Sequence, residues 1–219
     1  MDSQLIQEMK LLTQSFLVFW DFDGVIKETV NIKEQAFVKL FLPFGQEVTQ
    51  KVSKHHESNG GMSRFDKFPI YLRWAGIEPQ QENVRRYCER FSQLTFNEVI
   101  NAPWVPGVED YLRSNHYRQT FVLVSATPQE ELLQILNILG LHSCFSFVIG
   151  SPIHKKDAIR SILNNLFINP LNCLMIGDAR VDLEAAEYNH VPFLLRKHYD
   201  NSKVFADYKG LSFNDFTEV

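Results

Sequence analysis

The chain has 219 residues, 45% of them hydrophobic, and a net charge of −4, which suits one globular domain or a core carrying a smaller insert. Lysines and arginines are scattered rather than clustered, which argues against nucleic acid as the main partner. No apolar run approaches the roughly 20 residues that span a bilayer, so no membrane partner is expected.

Residues 2–13 are expected to form an amphipathic helix, with Leu5, Ile6, Met9 and Leu12 at helical spacing. The start MDSQLIQEMK lacks a basic segment followed by an apolar one, so no secretory signal is read there. Cys88, Cys144 and Cys173 show no metal-ligand spacing and sit among apolar neighbours. They are expected as buried free thiols in a reducing, cytoplasmic setting. Phe16–Trp20 is a continuous apolar run, as expected of a strand buried on both faces of a parallel sheet.

From about residue 31 to 101 the strand-like runs vanish. Ile32, Ala36, Phe37 and Leu40 make one helical stripe that ends at Pro43 and Gly45. A polar helix is predicted over 46–57, a third over 64–75, and a fourth marked by Val84, Tyr87, Cys88, Phe91 and Leu94. After Gly107 strands and helices alternate. Helices are predicted at 108–115, 129–139, 155–167 and 181–188, the third with Ile159, Ile162, Leu163 and Leu166 on one face. Strands are predicted at 120–125, 144–149, 173–176 and 191–195, which points to a parallel sheet covered on both sides. The tail from Arg196 carries no clear signal.

Asp21 and Asp23 stand where the first strand leaves the core, and Gly24 allows a sharp turn. In an extended chain they point to one side, and two carboxylates in one crevice call for a cation such as Mg2+. Asp21 is the candidate nucleophile, and Asp23 the general acid and then base. The second strand ends at Ser125-Ala126-Thr127-Pro128, where Thr127 and Glu130 read as a capping box with Pro128 in the first turn. Ser125, the Ala126 backbone and the helix start there would bind an anion. Lys155 and Lys156 open another helix, where a cation opposes the dipole. Contact with a phosphate would explain that placement, and Lys155 is preferred because the apolar face begins four residues on. Gly177-Asp178 ends another strand in an acid. Asp178 would complete an oxygen set for Mg2+ with Asp21 and the Asp23 carbonyl, with Asp182 behind it. In the insert, Gly60, Gly61 and Arg64 look suited to reach the crevice, with Arg64 gripping an anionic substrate.

Asp21-Phe22-Asp23-Gly24, Ser125, Lys155 or Lys156, and Gly177-Asp178 with Asp182 together resemble the haloacid dehalogenase-like superfamily, of the phosphoglycolate phosphatase and β-phosphoglucomutase kind. The resemblance implies an α/β fold: a Rossmann-like, doubly wound parallel core over 1–26 and 103–219, and an all-helical C1-type cap over 27–102. It implies a Mg2+-dependent phosphatase of small phosphorylated metabolites, working through an aspartyl phosphate on Asp21 as a monomer or homodimer. A phosphomutase, a phosphonate hydrolase using a cap lysine (Lys51 or Lys54), and a non-catalytic phospho-acceptor are the alternatives.

Overall fold

The computed structural model describes residues 3–218, with side chains from Gln7 onward. Its strands are β1 (Leu17–Trp20), β2 (Thr120–Pro128), β3 (Phe147–Ser151), β4 (Cys173–Gly177), β5 (Phe193–Arg196) and β6 (Ser212–Phe213). They form one sheet in the order β3-β2-β1-β4-β5-β6, with every pairing parallel. β1 lies inside, with Leu17 level with Thr120 on one side and Cys173 on the other. All four of its residues are buried, as an unbroken apolar run requires.

The helices are α1 (Ser3–Gln14), α2 (Val30–Phe41), α3 (Gln46–Ser58), α4 (Arg64–Trp74), α5 (Gln81–Asn101), α6 (Val108–Ser114), α7 (Gln129–Ile138), α8 (Lys155–Leu166) and α9 (Arg180–Tyr188). The two-residue period of a strand divides the core. Val18 and Trp20 pack with Leu112 of α6 and Leu132 and Leu136 of α7. Leu17 and Phe19 pack on the opposite face with Ile159 of α8 and Ala186 of α9. The sheet is therefore wound on both faces. Trp20 also meets Phe216 from the end of the chain, with ring centroids 5.4 Å apart.

Helices α2 to α5 form a bundle with an apolar cluster of its own around Phe37, Phe41, Phe68, Tyr71 and Phe91. Phe37 and Phe91 lie 4.2 Å apart between centroids. The chain enters and leaves this bundle through two adjacent segments. Val105 N donates to Ile26 O at 3.1 Å and Glu28 N to Pro103 O at 3.0 Å. Arg196 braces the crossing, with Nη1 donating to Gly24 O at 3.1 Å and to Glu28 Oε2 at 2.9 Å.

Some expectations need correction. The third strand starts at Phe147, because residues 142–144 coil into a 3₁₀ turn. Cys144 is half-buried rather than buried, while Cys88 and Cys173 are buried, and all three are free. Leu166 at the end of α8 is exposed. The capping box at Thr127 does not form: Pro128 is the N-cap, with no side-chain cap bond. The reason is that β2 runs on until Pro128 pairs with Ser151. Gln129 then ties the helix start to β3, its Nε2 donating to Val148 O at 3.0 Å. β6 lies in the tail that showed no signal. Leu5 and Ile6 fall outside the described side chains. Among the described residues no helix is long and apolar enough to cross a membrane.

Candidate active site

The strand order brings the acidic ends of β1 and β4, Asp182 of α9 and one lysine together at the carboxyl edge of the sheet, where ligands bind in open parallel sheets. Asp21 N still donates to Ile176 O at 3.0 Å, so the sheet ladder sets its position. Its Oδ1 accepts from Phe22 N at 2.7 Å and lies 2.8 Å from Lys155 Nζ. Lys155 is the first residue of α8 and is buried, and its ammonium also donates to Asp182 Oδ1 at 2.6 Å. Asp182 Oδ2 accepts from Ala179 N at 3.1 Å, which holds the start of α9. Lys156 is exposed and sits over the Tyr188 ring.

Asp178 follows β4, and its Oδ2 lies 2.9 Å from His198 Nε2. One carboxylate oxygen each from Asp21, Asp178 and Asp182 falls within 4.8 Å of the others, and all three residues are buried. Burial pushes the Asp21 carboxyl up to about 7; Lys155 opposes the rise, and Asp182 and Asp23 add to it. Asp178 and Asp182 are also raised, mainly by burial. The Lys155 ammonium pairs with Asp21 and Asp182, and Asp178 meets only His198, which leaves an excess of negative charge among hard oxygen donors. That donor set suits a divalent cation such as Mg2+.

Gly24 makes the crowding possible. It has φ +73°, and a Cβ there would stand 2.2 Å from Asp178 Oδ2. Gly24→Ala is expected to displace Asp178 and lower activity about tenfold or more with the fold retained. Steady-state kinetics beside circular dichroism checks this.

Asp23 faces the same cavity as Asp21 and Asp178, a space of about 70 Å³. Thr29 Oγ1 donates to Asp23 Oδ1 at 2.6 Å, and the Lys33 ammonium pairs with Oδ2. Burial alone would raise the Asp23 carboxyl, but the Lys33 charge and these bonds outweigh it and hold it below the usual range. Ser125 is buried and its Oγ accepts from Thr127 N at 3.1 Å; Ala126 lines the cavity.

The helical bundle closes the other side through Lys33, Phe37, His56, Gly61, Arg64 and Lys67. Arg64 reaches the cavity, but its guanidinium is engaged. Its Nη1 and Nη2 each donate to Glu131 of α7 at 2.8 Å, and Nη1 also donates to Ser92 Oγ at 2.6 Å. Lys51 and Lys54 are exposed on α3, away from the cavity lining. Thr29, Lys33, Lys67, Glu131 and His198 were not singled out from the sequence. Thr29 and Lys33 stand four apart at the start of α2, a spacing that puts both on one face, but nothing local says that this face meets Asp23.

A parallel α/β sheet thus carries acids and a buried lysine at its carboxyl edge, under a helical insert. Residues 18–195 match the family described as haloacid dehalogenase-like hydrolase, and the chain belongs to that family. A phosphoglycolate phosphatase from Pectobacterium atrosepticum is 28% identical over 123 residues, a stretch covering 53% of this chain and 53% of that protein. The chain thus spans about half the length of the curated relative it matches. Among solved structures, β-phosphoglucomutase from Clostridium difficile superposes with a TM-score of 0.71 at 22% identity, covering 94% of this chain and 93% of that one. CbbY from Rhodobacter sphaeroides, solved in complex with phosphate, gives 0.71 at 16% identity, covering 93% and 96%.

Proposed function

We propose that the protein is a Mg2+-dependent phosphatase that hydrolyses small phosphorylated metabolites through an aspartyl phosphate on Asp21. The observation that carries this reading is the buried Asp21 carboxylate at a parallel sheet edge, held by Lys155 within a cluster of three acids. The phosphoglycolate phosphatase relative and the phosphate bound in the CbbY structure support the same substrate class. Asp21, Asp178 and the Asp23 carbonyl would hold Mg2+, with Asp182 occupied by Lys155. The ion would offset phosphate charge so that an anionic nucleophile can approach.

The rest falls to the chain's own side chains. Asp21 attacks phosphorus, displacing the leaving oxygen. Lys155, the Ser125 hydroxyl and the backbone at Ala126 hold the phosphoryl oxygens. Substrate entering between Asp23 and Lys33 separates that pair. Asp23, half-buried, then loses the charge that keeps it ionised and can carry a proton to the leaving oxygen. In the second half it takes a proton from the water that attacks the aspartyl phosphate. The helical bundle acts as a cap that shuts water out of the first half-reaction.

A screen of phosphorylated metabolites with and without Mg2+ tests the reading; no Mg2+-dependent release of phosphate from any of them would sink it. Mg2+ at about 100 times its dissociation constant should stabilise the fold by about 2.7 kcal/mol. For a chain of this size that is roughly 5–10 °C in Tm. Asp178→Asn should remove most of the shift in a thermal melt at pH 7.5.

A further inference from the structure

The cap side of the cavity carries three long cations, and two of them already have carboxylates. Lys33 pairs with Asp23, and Arg64 with Glu131. Lys67 has none: among the described residues no carboxylate oxygen lies within 4 Å of its ammonium, although the residue is 1% exposed. Its Nζ lies 2.9 Å from His56 Nδ1, also buried, and 5.4 Å from the centre of the Phe37 ring. Burying an ammonium without a counter-charge is costly. Folded proteins retain such a group where something else supplies the charge.

We propose that Lys67, with His56 behind it, is the subsite for a second anionic group on the substrate, so that the preferred substrates are phosphomonoesters whose leaving group carries a carboxylate or another phosphate. This rests on the phosphatase reading and names the substrate class within it. Three features support it. Lys67, His56, Asp21 and Asp23 line one cavity of about 70 Å³, so one small molecule placed there reaches both ends of it. Burial, and then the neighbouring charges of Lys67 and Lys33, hold His56 well below the ordinary histidine range. The ring is therefore neutral, accepts at Nδ1 and does not itself neutralise the lysine. Burial, then the Lys33 charge, bring Lys67 down to about 7, with Asp23 only partly opposing, so the chain's own acids do not compensate it.

Matched esters test the proposal. Phosphoglycolate and 2-hydroxyethyl phosphate differ only in the remote carboxylate. The pair 1,3-propanediol bisphosphate and 3-hydroxypropyl phosphate differs only by the second phosphate. The wild-type chain with Mg2+ should favour the more anionic member of at least one pair by about tenfold in kcat/KM. Lys67→Met should shrink that preference by about tenfold, through KM, with an unchanged circular dichroism spectrum. A preference for the less anionic member of both pairs, or one that Lys67→Met leaves in place, overturns the proposal while leaving the phosphatase reading intact. Calorimetric titration of the same esters into the Asp21→Asn chain, with and without Lys67→Met, reads the subsite without turnover. A binding preference that Lys67→Met removes, in a protein whose wild-type form releases no phosphate, overturns the phosphatase reading alone.

Discussion

Asp21→Asn should lower turnover by about 10⁴-fold or more while leaving the fold intact. The size follows from the role proposed for it: removing a covalent nucleophile leaves only what positioning and charge can do for water. The intact fold follows from the surroundings. Asp21 is one of three clustered buried acids and shares the Lys155 ammonium with Asp182, and its carboxyl is pushed up to about 7, first by burial. The sign of the pH effect can be worked from that. An acid whose pKa is higher in the folded chain favours folding while protonated, and the benefit fades as pH rises from about 4 through 7. At pH 7.5 without Mg2+ the wild-type site therefore carries an electrostatic burden that the amide lacks. The variant should melt no lower than wild type at that pH and lose part of the decline between pH 4 and 7. Phosphate release and thermal melts across pH check both halves. A variant that retains full turnover would remove Asp21 from the chemistry.

Arg64→Ala should destabilise the protein by about 3–5 kcal/mol, the range for breaking a buried ion pair and stranding one partner. Arg64 is 3% exposed in its side chain and Glu131 12%, and the pair is joined by two hydrogen bonds. Burial alone would raise the Glu131 carboxyl, but the Arg64 charge and the bonds from Arg64 and Ser92 hold it below its usual value. This contribution is present above the ordinary glutamate range and is lost as pH falls through the lowered value. Arg64 belongs to α4 in the helical bundle and Glu131 to α7 on the core, so the loss should first free the bundle. Hydrogen exchange should rise in α4 and α5 before it rises in the sheet. Adding Glu131→Leu to an Arg64→Met chain should recover most of the stability, because two apolar groups strand no charge. A single substitution costing under about 1 kcal/mol, with exchange unchanged, would contradict the clamp.

The core was readable because its physics is local. A strand buried on both faces needs an unbroken apolar run, and Leu17–Trp20 and Cys173–Ile176 supply one each, whereas Phe16, expected in the first, stands outside β1 and is exposed. An acid within two residues of the end of such a run marks the sheet edge, which is why Asp21 and Asp178 could be placed together from the sequence. The two-residue strand β6 is too short to leave a pattern. The Thr127 capping box failed because pairing between Pro128 and Ser151, a contact across sequence, overrode a local preference. Lys33 on Asp23, Arg64 on Glu131 and Lys67 on His56 were beyond reach for the same reason. Each depends on how the bundle docks on the sheet, and a single sequence encodes that only through the packing of the whole.

The crossing between sheet and bundle has one further consequence. The chain departs at Ile26 and returns at Val105 as hydrogen-bonded neighbours, so the 78 intervening residues begin and end at nearly the same point in space. Exchanging that stretch for another self-packing module changes neither the loop-closure entropy nor the strand register by much. The architecture behaves as a socket: Asp21, Lys155 and Asp178 stay with the sheet, and new recognition can be grafted in as a cassette through two short joints, provided it again supplies Asp23 with the partners that Thr29 and Lys33 give it.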